Sequence, residues 1–307
     1  MNPETKVTLA QIKQLCVKHG ITYLSHERIT SGFSHEVHRL NDDLVIKLFA
    51  PEHAEKFQSE TAALGYDGTF LKPRLVASGM PNDLVDRYYI IMSYVPGRSL
   101  GGAWHQASNA QRKALIATIS QNLQSINSIQ PETLKLEGRL PWQTSILQRA
   151  DTLTSNLVDK HIIDAATAKQ ALRFAHDSSE ALAHSELHTV YWDIHFDNFI
   201  VNESFELQAF IDLENIELTA LDYPLFVIRK QMHDPAKYLS LENEKHAKEE
   251  DYKQLESWYR QYYPEMFAFA ELERRIQVYQ LLDTLHLLTD WSHVKELHTT
   301  LRSLITL

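Results

Sequence analysis

The sequence predicts an α+β chain of two unequal lobes: a small, antiparallel, β-rich part over residues 1–96 and a larger, mainly helical part over 97–307. Three observations predict it. Short runs rich in Val, Ile, Tyr and Phe crowd residues 21–95, with a single helical stretch among them. A Pro96-Gly97 pair then punctuates the chain. Beyond it, apolar residues recur at helical spacing almost to the end, broken by a short β-like interlude at 187–213.

The first element is the amphipathic stretch TLAQIKQLCVKHG, where Thr8 suits the N-cap and Gly20 the stop. Leu9, Ile12, Leu15 and Cys16 are expected on one face. ITYLSHERIT, EVHRL and LVIKLF follow as strands, turned by SGFS (31–34) and NDD (41–43). PEHAEKFQSETAALGY reads as a helix with Pro51 near its start. RLVASG and RYYIIMSYV complete the β-rich part. Helices are then expected at 108–129, 142–159 and 164–184. The interlude should hold a hairpin pairing 199–201 with 209–211. After Tyr223-Pro224 the chain reads as helical to its end, through a highly charged stretch at 241–263. No internal repeat or low-complexity linker interrupts it.

Bulk properties narrow the function. A formal net charge of -10 speaks against a nucleic-acid partner, since phosphate backbones select basic surfaces. No run approaches the ~18 apolar residues of a membrane helix. The start lacks the charged-then-apolar pattern of a secretion signal. A single cysteine, Cys16, allows no internal disulfide, so a reducing cytoplasm is the expected location.

The chemistry concentrates in YWDIHFDNFIVN (191–202) and QAFIDLE (208–214). Carboxylates beside apolar runs are costly unless they are paired or hold a cation. If the hairpin forms, Asp193 and Asn198 sit on the loop entering it, and Asp212 just past its second strand. Asn and Asp oxygens are ligands that Mg²⁺ accepts beside waters and phosphates, and Asp193 can take a proton from an attacking hydroxyl. The front part offers phosphate binders. Lys47 interrupts the apolar run LVIKLF, Gly32 permits a tight backbone approach, and Glu60 lies thirteen residues on, in a helix. A strand lysine held by a helix glutamate fixes an ammonium over phosphates. Each residue also has a bland explanation: an edge-strand lysine, a solvated glutamate, turn residues at Asp197-Asn198, an N-cap at Asp222. The joint order and spacing outweigh them.

These motifs resemble the aminoglycoside phosphotransferase and choline kinase superfamily, relatives of the protein kinases. The family pattern, roughly H-G-D-x-H-x-x-N and then I-D-x-x, stands here as Tyr191-Trp192-Asp193-Ile194-His195-Phe196-Asp197-Asn198 and Ile211-Asp212-Leu213-Glu214. YIIMSYVPGRSL resembles the hinge between lobes. The resemblance runs from about residue 21 to 235. It implies a protein-kinase-like fold and a small-molecule kinase that uses ATP or GTP with Mg²⁺ on a small-molecule acceptor. Asp193 would be the catalytic base, Asn198 and Asp212 the metal ligands, and Lys47 with Glu60 the phosphate anchor. Met92 and the backbone at Ser93 and Val95 would hold the purine. His195 would organise the loop.

The chain also departs from that pattern. Tyr191-Trp192 replaces His-Gly, and the phosphate loop has one glycine where relatives often have two. Leu221-Asp222-Tyr223-Pro224 is followed by Phe226 where the family places a second aspartate. Two other readings are therefore carried: a nucleotide-binding regulator without transferase activity, and a metal-dependent hydrolase using Asp193, His195, Asp197 and Asp212. His35 and His38, three apart in a strand, are expected on opposite faces and exposed. WYRQYYPEMFAF (258–269) is expected to be helix packing. From residue 201 onward 19 acidic face 11 basic side chains, a balance suited to a cationic acceptor such as an aminoglycoside or an amino alcohol.

Overall fold

The computed structural model describes residues 7–29, 35–136 and 140–306, the Tyr238 side chain excepted. Its first helix, α1 (Leu9–Lys18), begins where expected. Thr8 Oγ1 accepts from the Gln11 N–H while the Gln11 side chain accepts from the Thr8 N–H, a closed capping box. Gly20 follows with φ +65°. Ile12, Leu15 and Cys16 form an apolar cluster with Leu40, Ile46 and Ile91 of the sheet beneath. Leu9, at the first helical position, falls outside that cluster and is 44% exposed, contrary to the sequence reading.

Strands β1 (His26–Ile29), β2 (Glu36–Leu40), β3 (Leu44–Phe49), β4 (Leu75–Gly79) and β5 (Tyr88–Ser93) make one antiparallel sheet of order β1-β2-β3-β5-β4. The first strand is shorter than expected because residues 22–25 are held by a side chain instead of a ladder. Asn41 Oδ1 accepts from the Leu24 and Ser25 N–H groups, and its Nδ2 donates to Thr22 O. The SGFS turn, and with it Gly32, lies outside the described residues. Register sets Lys47 opposite Val37 on one side and Ile90 on the other, so the lysine occupies an interior strand and is 5% exposed. The edge-strand explanation of Lys47 fails. Between β3 and β4, helix α2 (Ala54–Gly65) buries Phe57, Glu60, Ala63 and Leu64 as one stripe, which carries a carboxylate into an apolar interface.

Past the connector come β6 (Arg98–Ser99), the short α3 (Leu100–Ala103) and three long helices, α4 (Asn109–Asn127), α5 (Trp142–Asp159) and α6 (Ala165–Ser178). Strands β7 (His188–Tyr191), β8 (Phe199–Val201), β9 (Leu207–Phe210) and β10 (Ile216–Thr219) follow, then α7 (Leu225–His233), α8 (Leu241–Glu244), α9 (Glu249–Tyr252), α10 (Leu255–Tyr262), α11 (Leu272–Asp290) and α12 (Lys295–Ile305). β8 pairs with β9 as expected, Phe199 opposite Phe210, and β6 joins that hairpin. β10 pairs with β7 in a separate ribbon. One apolar core runs from Phe49, Phe57 and Met92 in the front to Ile146, Phe199 and Leu285 in the rear. Ser59 Oγ also donates to Ile216 O across the two parts. The lobes therefore share a core. Trp258, Tyr259, Tyr263, Met266 and Phe267 are buried, as helix packing requires. No helix among the described residues is long and apolar enough to cross a membrane.

Candidate active site

The Lys47 ammonium is the centre of the site. It donates to Glu60 Oε2 at 2.6 Å, to Glu214 Oε2 at 2.9 Å and to Asp212 Oδ1. Asp212 reaches it because it adopts a left-handed backbone (φ 59°), which aspartate tolerates better than most residues and which turns its side chain back toward β3. Glu214 also accepts from Lys56 Nζ at 2.9 Å, and His35 Nε2 stands 2.6 Å from its other oxygen. Burial works against the Lys47 charge, but Asp212, Glu60 and Glu214 raise its pKa well above the ordinary value. The three carboxylates fare differently. Burial pushes Glu60 up to about 7 although Lys47 opposes it. Burial would raise Glu214 too, but the His35 hydrogen bond and the Lys47 charge hold it far below the usual carboxylate range. Glu60, the most enclosed of the three and bound to Lys47 alone, is the one whose charge burial opposes most.

Asp193 lies on the loop after β7 and is held on both oxygens. His195 Nε2 stands 2.9 Å from Oδ1, while Oδ2 accepts from Asn215 Nδ2 at 2.9 Å and Asn198 Nδ2 at 3.3 Å. Burial would raise this carboxyl, but His195 and the two amides turn the shift downward, so Asp193 is ionised at neutral pH. Asn198 Nδ2 also donates to Asp193 O at 3.0 Å, which leaves its carbonyl oxygen as the group to offer elsewhere.

Of the residues singled out from the sequence, Lys47, Glu60, Met92, Ser93, Val95, Asn198 and Asp212 line one cavity of about 700 Å³ between the sheet and the helical part. Asp193 stands behind Asn198, outside that lining. At the hinge, the Ser93 N–H donates to Arg74 O at 2.9 Å and the Tyr94 N–H to Asp43 O at 2.6 Å, so Ser93 can offer a ligand its carbonyl but not its amide. Asp197 closes the far end: its oxygens accept from Ser99 Oγ at 2.8 Å, Asn243 Nδ2 at 3.2 Å and the Ser240 N–H at 2.5 Å. Asp197 is thus a clamp between the loop and the 240–243 segment, not a turn residue alone.

Two expectations are corrected. His35 and His38 do lie on different surroundings, but neither is exposed. His35 packs its ring on Phe49, centroids 4.4 Å apart, and its side chain is 3% exposed. His38 is 3% exposed and stands 3.1 Å from Glu36 Oε1. Asp222 provides no side-chain cap for α7. It is fully buried and grips Arg275 Nε and Nη2 at 2.6 and 2.7 Å. The Tyr191 hydroxyl donates to Ile211 O at 3.1 Å. Sequence reasoning missed Glu214, Asn215 and His35 as site residues. The signal for Glu214 was present, a second carboxylate two residues after Asp212; Asn215 and His35 carry none without the fold.

The fold has counterparts among solved structures. The GDP complex of wild-type aminoglycoside 2'-phosphotransferase-IIIa superposes with a TM-score of 0.68 at 13% identity, covering 97% of this chain and 99% of that one. The streptomycin–ATP–APH(2")-IIa ternary complex gives 0.67 at 17%, covering 98% and 97%. These show a kinase-like fold. A model of the phosphotransferase enzyme family matches residues 25–228, and the chain belongs to that family. No curated protein matches the sequence.

Proposed function

We propose that the protein transfers the γ-phosphoryl group of ATP or GTP to a hydroxyl of a small-molecule acceptor. Residues 1–96 form the nucleotide-binding lobe and 97–307 the catalytic and acceptor-binding lobe. The observation that carries this reading is the meeting of Lys47 and Asp212 in a cavity whose other end is the 92–95 hinge, with an ionised Asp193 next to it.

The purine edge meets the Ser93 carbonyl and the Val95 N–H over Met92, and Lys47, steadied by Glu60, holds the phosphates. Asn198 and Asp212 are the residues for Mg²⁺; hard oxygen donors fit it, and Glu60, Asp212 and Glu214 offer oxygens within 4.8 Å of one another. Bound there, the cation would neutralise charge on the nucleotide phosphates. Asp193 accepts the acceptor's hydroxyl proton as its oxygen bonds to the γ-phosphorus and the bond from that phosphorus to the β–γ bridging oxygen breaks, releasing the nucleoside diphosphate. His195, Asn198 and Asn215 keep the carboxylate aimed, so positioning supplies much of the rate. The acid excess of the rear part would suit a cationic acceptor such as an aminoglycoside. Much of it, however, is outer surface: Glu244, Glu249 and Glu250 are exposed and do not line the cavity.

A coupled ADP-release screen over aminoglycosides, macrolides, sugars, choline and homoserine tests the reading. At least one compound should be turned over, and Asp193→Ala should slow it by about 10²–10⁴-fold. Undiminished turnover by Asp193→Ala overturns the mechanism. Nucleotide binding with no product from any compound favours the regulator.

A further inference from the structure

Beside Asp193, outside the nucleotide cavity, the chain builds a second wall. The Trp192 ring lies 5.8 Å from that of Tyr223 and 6.3 Å from that of Phe226, and Trp192 Nε1 donates to Glu217 Oε1 at 3.2 Å. Trp192 and Phe226 are positions at which the chain departs from the pattern it resembles, and the two departures meet in one cluster, in which Tyr223 and Phe226 are buried and Trp192 keeps part of its surface exposed. Arg149 reaches this surface from α5. Its guanidinium carbon is 5.9 Å from the Tyr223 ring centroid. None of these side chains lines the nucleotide cavity.

The charges on this wall are unevenly matched. Lys56 is paired with Glu214 at 2.9 Å, Lys230 with Asp283, and Glu217 accepts from the indole. Glu217 is near enough to favour the Arg149 charge, yet among the described residues Arg149 forms no ion pair. A half-buried guanidinium lying over an aromatic ring, with no carboxylate paired to it among the described residues, keeps donors to offer, and its planar fork matches a two-oxygen anion.

We propose that Arg149 binds an oxyanion of the acceptor, a carboxylate or a phosphate, so that the molecule presented to Asp193 is a hydroxylated acid or phosphate ester. This rests on the phosphotransfer reading and names the substrate class of that site. Trp192 packs against the carbon skeleton, and Arg149 orients it.

Two matched series test it: glycerol, glycerate, glycerol 3-phosphate and 3-aminopropane-1,2-diol; and sorbitol, gluconate, glucose 6-phosphate and glucosamine. With ATP and Mg²⁺, the carboxylate or phosphate members should have the higher kcat/KM, and which of the two leads identifies the oxyanion. Arg149→Ala should raise KM for the preferred member by about 10–100-fold, and Arg149→Lys should restore part of it. Thermal stabilisation by ATP and Mg²⁺ checks that both variants fold. Preference for the neutral or ammonium members, or an unchanged KM in Arg149→Ala, overturns the proposal. If no compound is turned over, the phosphotransfer reading is what has failed, and binding decides. Calorimetry with glycerate, gluconate and the two phosphate esters must then show heat that Arg149→Ala loses; equal heats in both proteins, or none in either, overturn the proposal as well.

Discussion

Lys47 faces more negative charge than it can neutralise, and the consequence is measurable. Glu60 is pushed up to about 7, above the ordinary carboxylate value of 4.5, because burial outweighs its bond to Lys47. A carboxyl whose folded value is raised contributes stability that is complete below its unfolded value and is lost as pH rises through the folded one. The ligand-free protein should therefore lose thermal stability relative to Glu60→Gln between about pH 5 and about pH 7.5. Calorimetric melts at both pH values check it, and parallel behaviour of the two proteins would show that Glu60 stays charged throughout. At this scale much of the site was legible. Lys47, Asp193, Asn198 and Asp212 stand out as polar side chains abutting apolar runs. His35, Asn215 and Arg149 do not, because each acquires its place from a partner distant in sequence, and Gly32 lies outside the described residues.

Among the elements, those of five residues or more could be read from periodicity, as could the hairpin of β8 and β9, but β6 and β10 could not. β6 has two residues, too few for any alternation, yet its pairing with β8 delivers Ser99 to Asp197. β10 is flanked by a tight turn and does not alternate in burial, so nothing in IELT marks it as the partner of β7. The charged stretch at 241–263 is divided into three short helices, of which α8 packs on the cavity rim through Asp197. That packing leaves no room at α3. A Cβ at Gly101 would lie 2.3 Å from Asp197 Oδ1 and 2.6 Å from Leu239 Cδ2. Gly101→Ala should thus cost about 1–3 kcal/mol and weaken nucleotide binding by displacing the 240–243 segment. Gly65→Ala is the control, since its Cβ would meet only Leu75 Cδ2 at an ordinary 3.6 Å. Denaturant titration and nucleotide titration of both variants check the pair; equal behaviour would mean that the rim yields freely.

Across the whole molecule, two devices hold the fold together. One is the core that passes from the sheet into the helices. The other is the buried brace in which Arg275 grips Asp222, Ala181 O and Ser185, and Tyr279 joins Asp222 to Trp142. Arg275→Met should destabilise the protein by about 3–5 kcal/mol, because Asp222 would remain as an uncompensated buried charge. Asp222→Asn combined with Arg275→Met should cost less than the two single changes added together, and a double-mutant cycle in urea checks it. The two-lobed reading of the sequence carried the architecture but not this brace, whose members come from four separated segments. The account depends most on one cavity holding a nucleotide through Asp212 and a divalent cation. Calorimetric titration of ADP and GDP, with and without Mg²⁺, into the wild-type protein and Asp212→Asn tests that directly. The account predicts binding that Mg²⁺ strengthens in the wild type and an Mg²⁺ effect that disappears in Asp212→Asn; binding of neither nucleotide, or the same Mg²⁺ effect in both proteins, would contradict it.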